Sequence, residues 1–222
     1  MIGMLDFPVS PGLWLAYCLT VFFVSGTPGP NMLLALSRGV SVGPRRTAWV
    51  AAGAVSALMV LMAAAASGLD ALAHLSPTTL RILRLVGAAY LAWIGVKALM
   101  VQPAETAETQ PDASPREGKG ALALWLEGFL VSLSNPKGIA FFVAFFPQFI
   151  DTGRPILGQS LVLGATFALV EFSWFLTYAR GGRALVAFLA RRGGAHLLEK
   201  VSGCLLLLVA LVMAATAVID FL

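Results

Sequence analysis

Charge is scarce in this sequence: only 12% of its 222 residues are Asp, Glu, Lys or Arg, about half the share of an ordinary soluble domain. A chain this poor in charge and 59% hydrophobic cannot clothe its own surface in polar groups. Its mean hydropathy of +0.86 leaves that task to lipid. Cysteine and histidine are nearly absent, with two copies of each. Cys18 and Cys204 fall inside apolar runs, where they read as small hydrophobes and no disulfide framework is expected. His74 and His196 are assigned to loops, and the apolar runs hold neither a set of metal ligands nor a Ser/His/Asp group at one depth. Neither an enzyme nor a cofactor is expected. A basic leader ahead of a short apolar core is also lacking, so the first apolar run reads as a retained span.

The basic residues that are present give a formal charge of +4. They flank apolar runs instead of forming one dense patch, which points to a bilayer as partner and away from nucleic acid. Six runs are long enough to cross it, at about 11–37, 47–69, 79–101, 121–148, 156–179 and 199–219, each near the roughly 20 residues a span needs. The third is the least clean, since Arg81, Arg84 and Lys97 must snorkel to the interfaces; a five-span reading with that run re-entrant is the alternative. If all six cross, Arg38, Arg45, Arg46, Lys97, Arg116, Lys119, Arg180, Arg183, Arg191, Arg192 and Lys200 share one side, against Arg81, Arg84 and Arg154 on the other. The positive-inside rule then places the first side in the cytoplasm and both termini outside.

The stretch "QPAETAETQPDASPREGKG", residues 102–120, is poor in apolar residues and reads as a flexible cytoplasmic linker. It divides the chain into a three-span half at 1–101 and another at 121–222. Pro28 in "SGTPGPN" lies 108 positions before Pro136 in "SLSNPKG", each in the first span of its half. Near the start of the third spans, "LRLVGAAYL" resembles "EKVSGCLLL", which aligns Gly87 with Gly203. Three spans per half require the second half to be inverted. The expected fold is therefore an all-α membrane protein of six transmembrane helices in two inverted three-helix repeats, with helices 1 and 4 interrupted, a recurring transporter plan.

The interruptions carry the chemistry. Pro28 and Pro30 each lack a backbone donor, and Gly29 between them relaxes the chain. One proline commonly only kinks a transmembrane helix, but two around a glycine should unwind a turn. Such a break survives in hydrocarbon only where protein buries it or a wet cavity adjoins it. Asn31 can cap the new half-helix or present its amide to a solute. Span four repeats the device at Asn135 and Pro136, and Lys137 then sets an amine about 16 Å of helix or more from either end. An amine at that depth is functional by default, suited to a carboxylate or a proton; snorkelling is the plainer reading. Glu171, mid-span in "FALVEFSWF", reads as Lys137's partner, a proton carrier, a site for an ammonium, or a structural ion-pair member. Glu127 in "LWLEGFL" suits an interfacial role as well as a pathway one. Half-helix N-termini, one cation and one or two anions fit a small zwitterion.

"TPGPNMLLALSRG", "VGAAYLAWIGVKAL" and "GFLVSLSNPKGIAFFVAFFPQF" occur in order along nearly the whole chain, and in these motifs the sequence resembles the LysE/RhtB family of bacterial amino-acid exporters. The resemblance implies a six-span protein of the cytoplasmic membrane that exports amino acids or similar metabolites, driven by the proton gradient. It places the first family motif on Pro28, Gly29, Pro30 and Asn31, and the second on Asn135, Pro136 and Lys137, with Pro147, Gln148 and Phe149 closing span four. The sequence departs from the family pattern in span two, where "GAVSAL" (residues 53–58) lacks the acidic residue of a "GD" pair. That moves the expected coupling role to Glu171. A passive channel for small polar solutes is the alternative function. Small residues such as Gly53 and Ala57 suit close helix contacts, within one subunit or between copies in a homo-oligomer.

Overall fold

The computed structural model describes residues 8–72, 77–100, 120–151, 153–191 and 194–219, and among them every regular element is helical. The α-helices are α1 (Pro11–Gly26), α2 (Pro30–Ser41), α3 (Pro44–Leu72), α4 (Pro77–Met100), α5 (Ala121–Leu133), α6 (Pro136–Ala140), α7 (Ile156–Arg191) and α8 (Gly194–Ile219). A π-helical turn at Phe141–Phe145 and a 3-10 turn at Phe146–Phe149 continue from α6. Five helices begin on proline, at the one position where its missing N–H costs nothing and its fixed φ fits. Gly43, with φ of 83°, turns the chain between α2 and α3 in a conformation that a side chain would oppose.

Both expected interruptions are present. The α1–α2 pair bends by 57° and the α5–α6 segment by 61°. By length and composition α3 and α7 can each cross a bilayer, and so can each bent pair taken as one span. The described parts of α4 and α8 hold shorter apolar stretches, Leu85–Lys97 and Gly203–Val212. Two expectations need correction. Span five does not end near residue 179: α7 runs on to Arg191, so Arg183 and Arg191 lie on helix and not in a loop. His196 lies in the first turn of α8, not in a loop, and His74 falls outside the described residues, as does the linker up to residue 119. Gly203 packs against Gly95.

Contacts between residues far apart in sequence set the helix arrangement. Trp14 with Thr166, Phe22 with Trp174 and Gly26 with Tyr178 are all 152 residues apart, so α1 runs parallel to α7 in one register. Asn31 meets Glu171 at a separation of 140, and Gly39 meets Ala179 at the same separation. The break thus resets the register of span one on α7, which a continuous helix could not do. Helices α3 and α5 touch backbone to backbone at Gly53 and Gly128, where a Cβ would strike the carbonyls of Trp125 and Val50. Two apolar cores result. One gathers Tyr17, Val21, Leu58, Phe141, Phe142, Phe145, Phe149 and Phe167; the other gathers Met32, Ala35, Val50, Ala54, Leu124, Phe175 and Tyr178. Outward-facing residues such as Leu161, Leu169 and Leu211, each more than 60% exposed, form a greasy exterior that lipid covers.

Candidate functional site at the paired helix breaks

In an α-helix the carbonyl of residue i pairs with the N–H of residue i+4. Pro28 therefore orphans the Val24 carbonyl, and Pro30 orphans that of Gly26. The fold answers each with a side chain. Lys137 Nζ donates to Val24 O at 2.5 Å and to Thr27 O at 3.3 Å, while Tyr178 Oη donates to Gly26 O at 2.9 Å. The cation of the second break thus closes the first, and a Cβ on Gly29 would lie 3.9 Å from Lys137 Nζ. In the second break Pro136 frees the Ser132 carbonyl, which accepts from Asn135 N at 3.2 Å. Asn135 caps α6, its Oδ1 accepting from Lys137 N at 3.0 Å.

Asn31 joins these parts. It does not cap α2, whose cap position is Gly29 in extended backbone; its amide is presented instead. Nδ2 donates to Glu171 Oε1 at 3.1 Å. Oδ1 accepts from Ser132 Oγ at 3.1 Å and from Asn135 Nδ2 at 3.2 Å. All four residues are buried, Glu171 to 4% exposure. Lys137 lies near enough to attract the Glu171 carboxylate electrostatically. Ser25 Oγ is buried beside that carboxylate, without a protein partner at good hydrogen-bond geometry.

The position of Glu171 follows from helical spacing. Phe167, Glu171 and Phe175 stand four apart on one face of α7, the first in one apolar core and the last in the other. The polar cluster is therefore a layer between two greasy ones, where an ion pair or hydrogen bond is screened little. Pro28 is half-buried and Pro30 and Pro136 are exposed at their helix starts. Two expected site residues stand apart from the layer. Glu127 pairs with Arg38, which donates from both Nε, at 2.9 Å, and Nη2. Gln148 is half-buried in the 3-10 turn beside Phe149, whose ring packs on Tyr17.

Sequence reasoning had put Arg38 among the interfacial charges, whereas it is 6% exposed. Its spacing of two turns from Asn31 was the available signal, because positions i and i+7 share a helix face. Tyr178 and Ser132 were also missed. The prolines announce which carbonyls are orphaned, but no local pattern names the distant donor.

A greasy helical chain with two broken helices, whose buried polar ends meet at one layer, belongs to the class of membrane transport proteins. The family model described as "LysE type translocator" matches residues 22–216, and the chain belongs to that family. It is 31% identical over 202 residues to a homoserine/homoserine lactone efflux protein of Salmonella typhi, covering 91% of this chain and 96% of that protein. It is 33% identical over 159 residues to a leucine efflux protein of Enterobacter sp. (strain 638), covering 71% and 74% respectively. An uncharacterized membrane protein of Vibrio cholerae is 34% identical over 175 residues, covering 77% and 83%. No solved structure matches the chain.

Proposed function

We propose that this protein exports amino acids or related small zwitterionic metabolites across the bacterial cytoplasmic membrane by proton antiport, with the break cluster as substrate site and Glu171 as coupling group. The observation that carries the reading is the Asn31 amide, which holds the Glu171 carboxylate on one side and, on the other, Asn135 of the second break and Ser132 just before it. Glu171 is a ready acceptor for a substrate ammonium. The N-terminus of α2 and the Lys137 ammonium offer positive charge to its carboxylate. A carboxylate that holds a proton no longer attracts an ammonium, so proton and substrate exclude each other at Glu171. That exclusion is the basis of antiport. The family membership and the efflux activities in the relatives' names support the direction of transport.

The proposal includes six crossings in two inverted repeats with both termini outside. One set of contacts favours it. A Cβ on Gly95 would lie 2.9 Å from both Gly203 O and Leu207 Cγ, and one on Gly203 would lie 2.8 Å from Gly95 O and 3.0 Å from Leu99 Cγ. Gly95 and Gly203, like Leu99 and Leu207, are 108 residues apart, the spacing of Pro28 and Pro136, and the contact is reciprocal as a two-fold axis requires.

The test is export against a concentration gradient in proteoliposomes with an imposed pH gradient. Wild type should accumulate L-homoserine or L-leucine on the far side. Glu171→Gln, which keeps an oxygen for Asn31 Nδ2, should stay folded and lose pH-driven accumulation more than 100-fold. Accumulation by the variant at wild-type rate would remove Glu171 from coupling, and wild-type equilibration without accumulation would make the protein a passive channel.

A further inference from the structure

A second polar group lies about 10 Å along α2 from Asn31, two helical turns on, separated from it by Leu34 and Ala35 of the second apolar core. It is the Arg38–Glu127 pair. Arg38 Nε and Nη2 converge on the single oxygen Oε1 of Glu127, where the guanidinium fork could instead span both oxygens of a carboxylate. Its Nη1 is buried without a protein acceptor. The hydroxyl of Ser41, three residues on and so on the same helix face, is likewise buried without a protein partner, as is that of Ser37. Buried donors left unmet destabilise a fold. This turn of α2 therefore holds unused donors around a guanidinium whose side chain is only 8% exposed.

We infer that Arg38 and Glu127 form a second, transient station for the zwitterion, on the Ser41–Pro44 side of the break cluster. The substrate carboxylate takes the Arg38 fork and its ammonium takes Glu127. This rests on the export reading above and extends it to the route. The physical reason is partner exchange. Pulling Arg38 away from Glu127 leaves the buried guanidinium uncompensated, whereas inserting a zwitterion gives it a new carboxylate, gives Glu127 an ammonium and offers Nη1 an acceptor. A lone amine or a lone carboxylate can satisfy only one of the two. The pair therefore closes the route when empty and yields only to solutes carrying both charges. A purely structural clasp between α2 and α5 has no such selectivity.

The experiment uses L-leucine counterflow in proteoliposomes, with isocaproate, which is leucine without its amino group, as competitor. Wild type should be inhibited weakly. Glu127→Gln frees the Arg38 fork for a simple carboxylate, so isocaproate should inhibit at a concentration at least tenfold lower than in wild type. Inhibition unchanged from wild type would overturn the station. If Glu127→Gln does not fold, the double variant Arg38→Met/Glu127→Leu decides, since replacing a buried pair by apolar residues of similar size is often tolerated. It should melt within a few degrees of wild type yet show a KM for leucine raised about tenfold or more; an unchanged KM would reduce the pair to a clasp. If wild type moves neither leucine nor homoserine, the export reading fails by itself. Calorimetric titration of Glu127→Gln with isocaproate, against Arg38→Met/Glu127→Leu, then still measures the station. Binding to the first and not the second supports it, and equal heats overturn it.

Discussion

Tyr178 and Lys137 do the same local task at the first break, each taking a carbonyl that a proline left without a donor, yet their removal should read differently. Tyr178→Phe leaves the Gly26 carbonyl buried and unpaired. That omission should lower stability by about 1–3 kcal/mol, measured by denaturation of the purified protein, with the charged groups of the break cluster intact and transport largely retained. Lys137 also supplies the charge near Glu171, so Lys137→Met should lose transport by more than its loss of stability explains. At this scale the stretch of span two that lacks an acidic residue is occupied by packing. Residues 53–58 include Gly53, Ala54, Ala57 and Leu58, all buried in helix contacts or apolar core. The embedded carboxylate of the break layer is instead Glu171, on α7.

At the next scale the proposed functional unit is the helix break. Pro28→Ala restores an N–H at the position that pairs with the Val24 carbonyl, in competition with Lys137 Nζ. A more regular helix would release the lysine and carry Asn31 away from Glu171, because a continuous span one would keep the 152-residue register on α7 instead of resetting to 140. Transport should fall at least tenfold while the melting temperature stays the same or rises. Wild-type counterflow by a well-folded Pro28→Ala protein would refute the break as a requirement. Span four is less regular still, with a π-helical turn directly after α6, a feature frequent at functional sites. The phenylalanines of this segment pack on Tyr17 and Phe167 and close the site on the side opposite Arg38.

For the molecule as a whole, glycine crossings fix how closely the helices approach. Gly53→Ala and Gly128→Ala each place a methyl group against backbone of the facing helix, where no rotamer change can make room, and each should cost about 1–3 kcal/mol or more by overpacking. Gly68→Ala, with nothing within 4 Å of the new Cβ, should melt no lower than wild type in the same assay, since alanine favours the helix over glycine. The proposed topology makes its own prediction at this scale. In a background lacking Cys18 and Cys204, a cysteine at Arg45 should react with an impermeant maleimide only from the cytoplasmic side and one at Arg154 only from the outside. Labelling of both from one face would refute six crossings.

The sequence by itself determined the class and the breaks. Scarce charge, long apolar runs, and Pro28, Pro30 and Pro136 inside two of those runs follow from local chemistry that needs no partner to be read. Proline's missing N–H even specifies which carbonyls, those of Val24, Gly26 and Ser132, must find other donors. Only the tertiary structure decided which donors those are. Lys137, 113 residues from Val24, and Tyr178, 152 residues from Gly26, come to the break because α6 and α7 pack there. The same holds for Arg38, whose charge looked interfacial along the chain and is buried because α5 brings Glu127 to it. Local periodicity records which face of a helix is greasy. It does not record which buried charge on another helix that face will meet, since that depends on the depth and register at which whole helices pack.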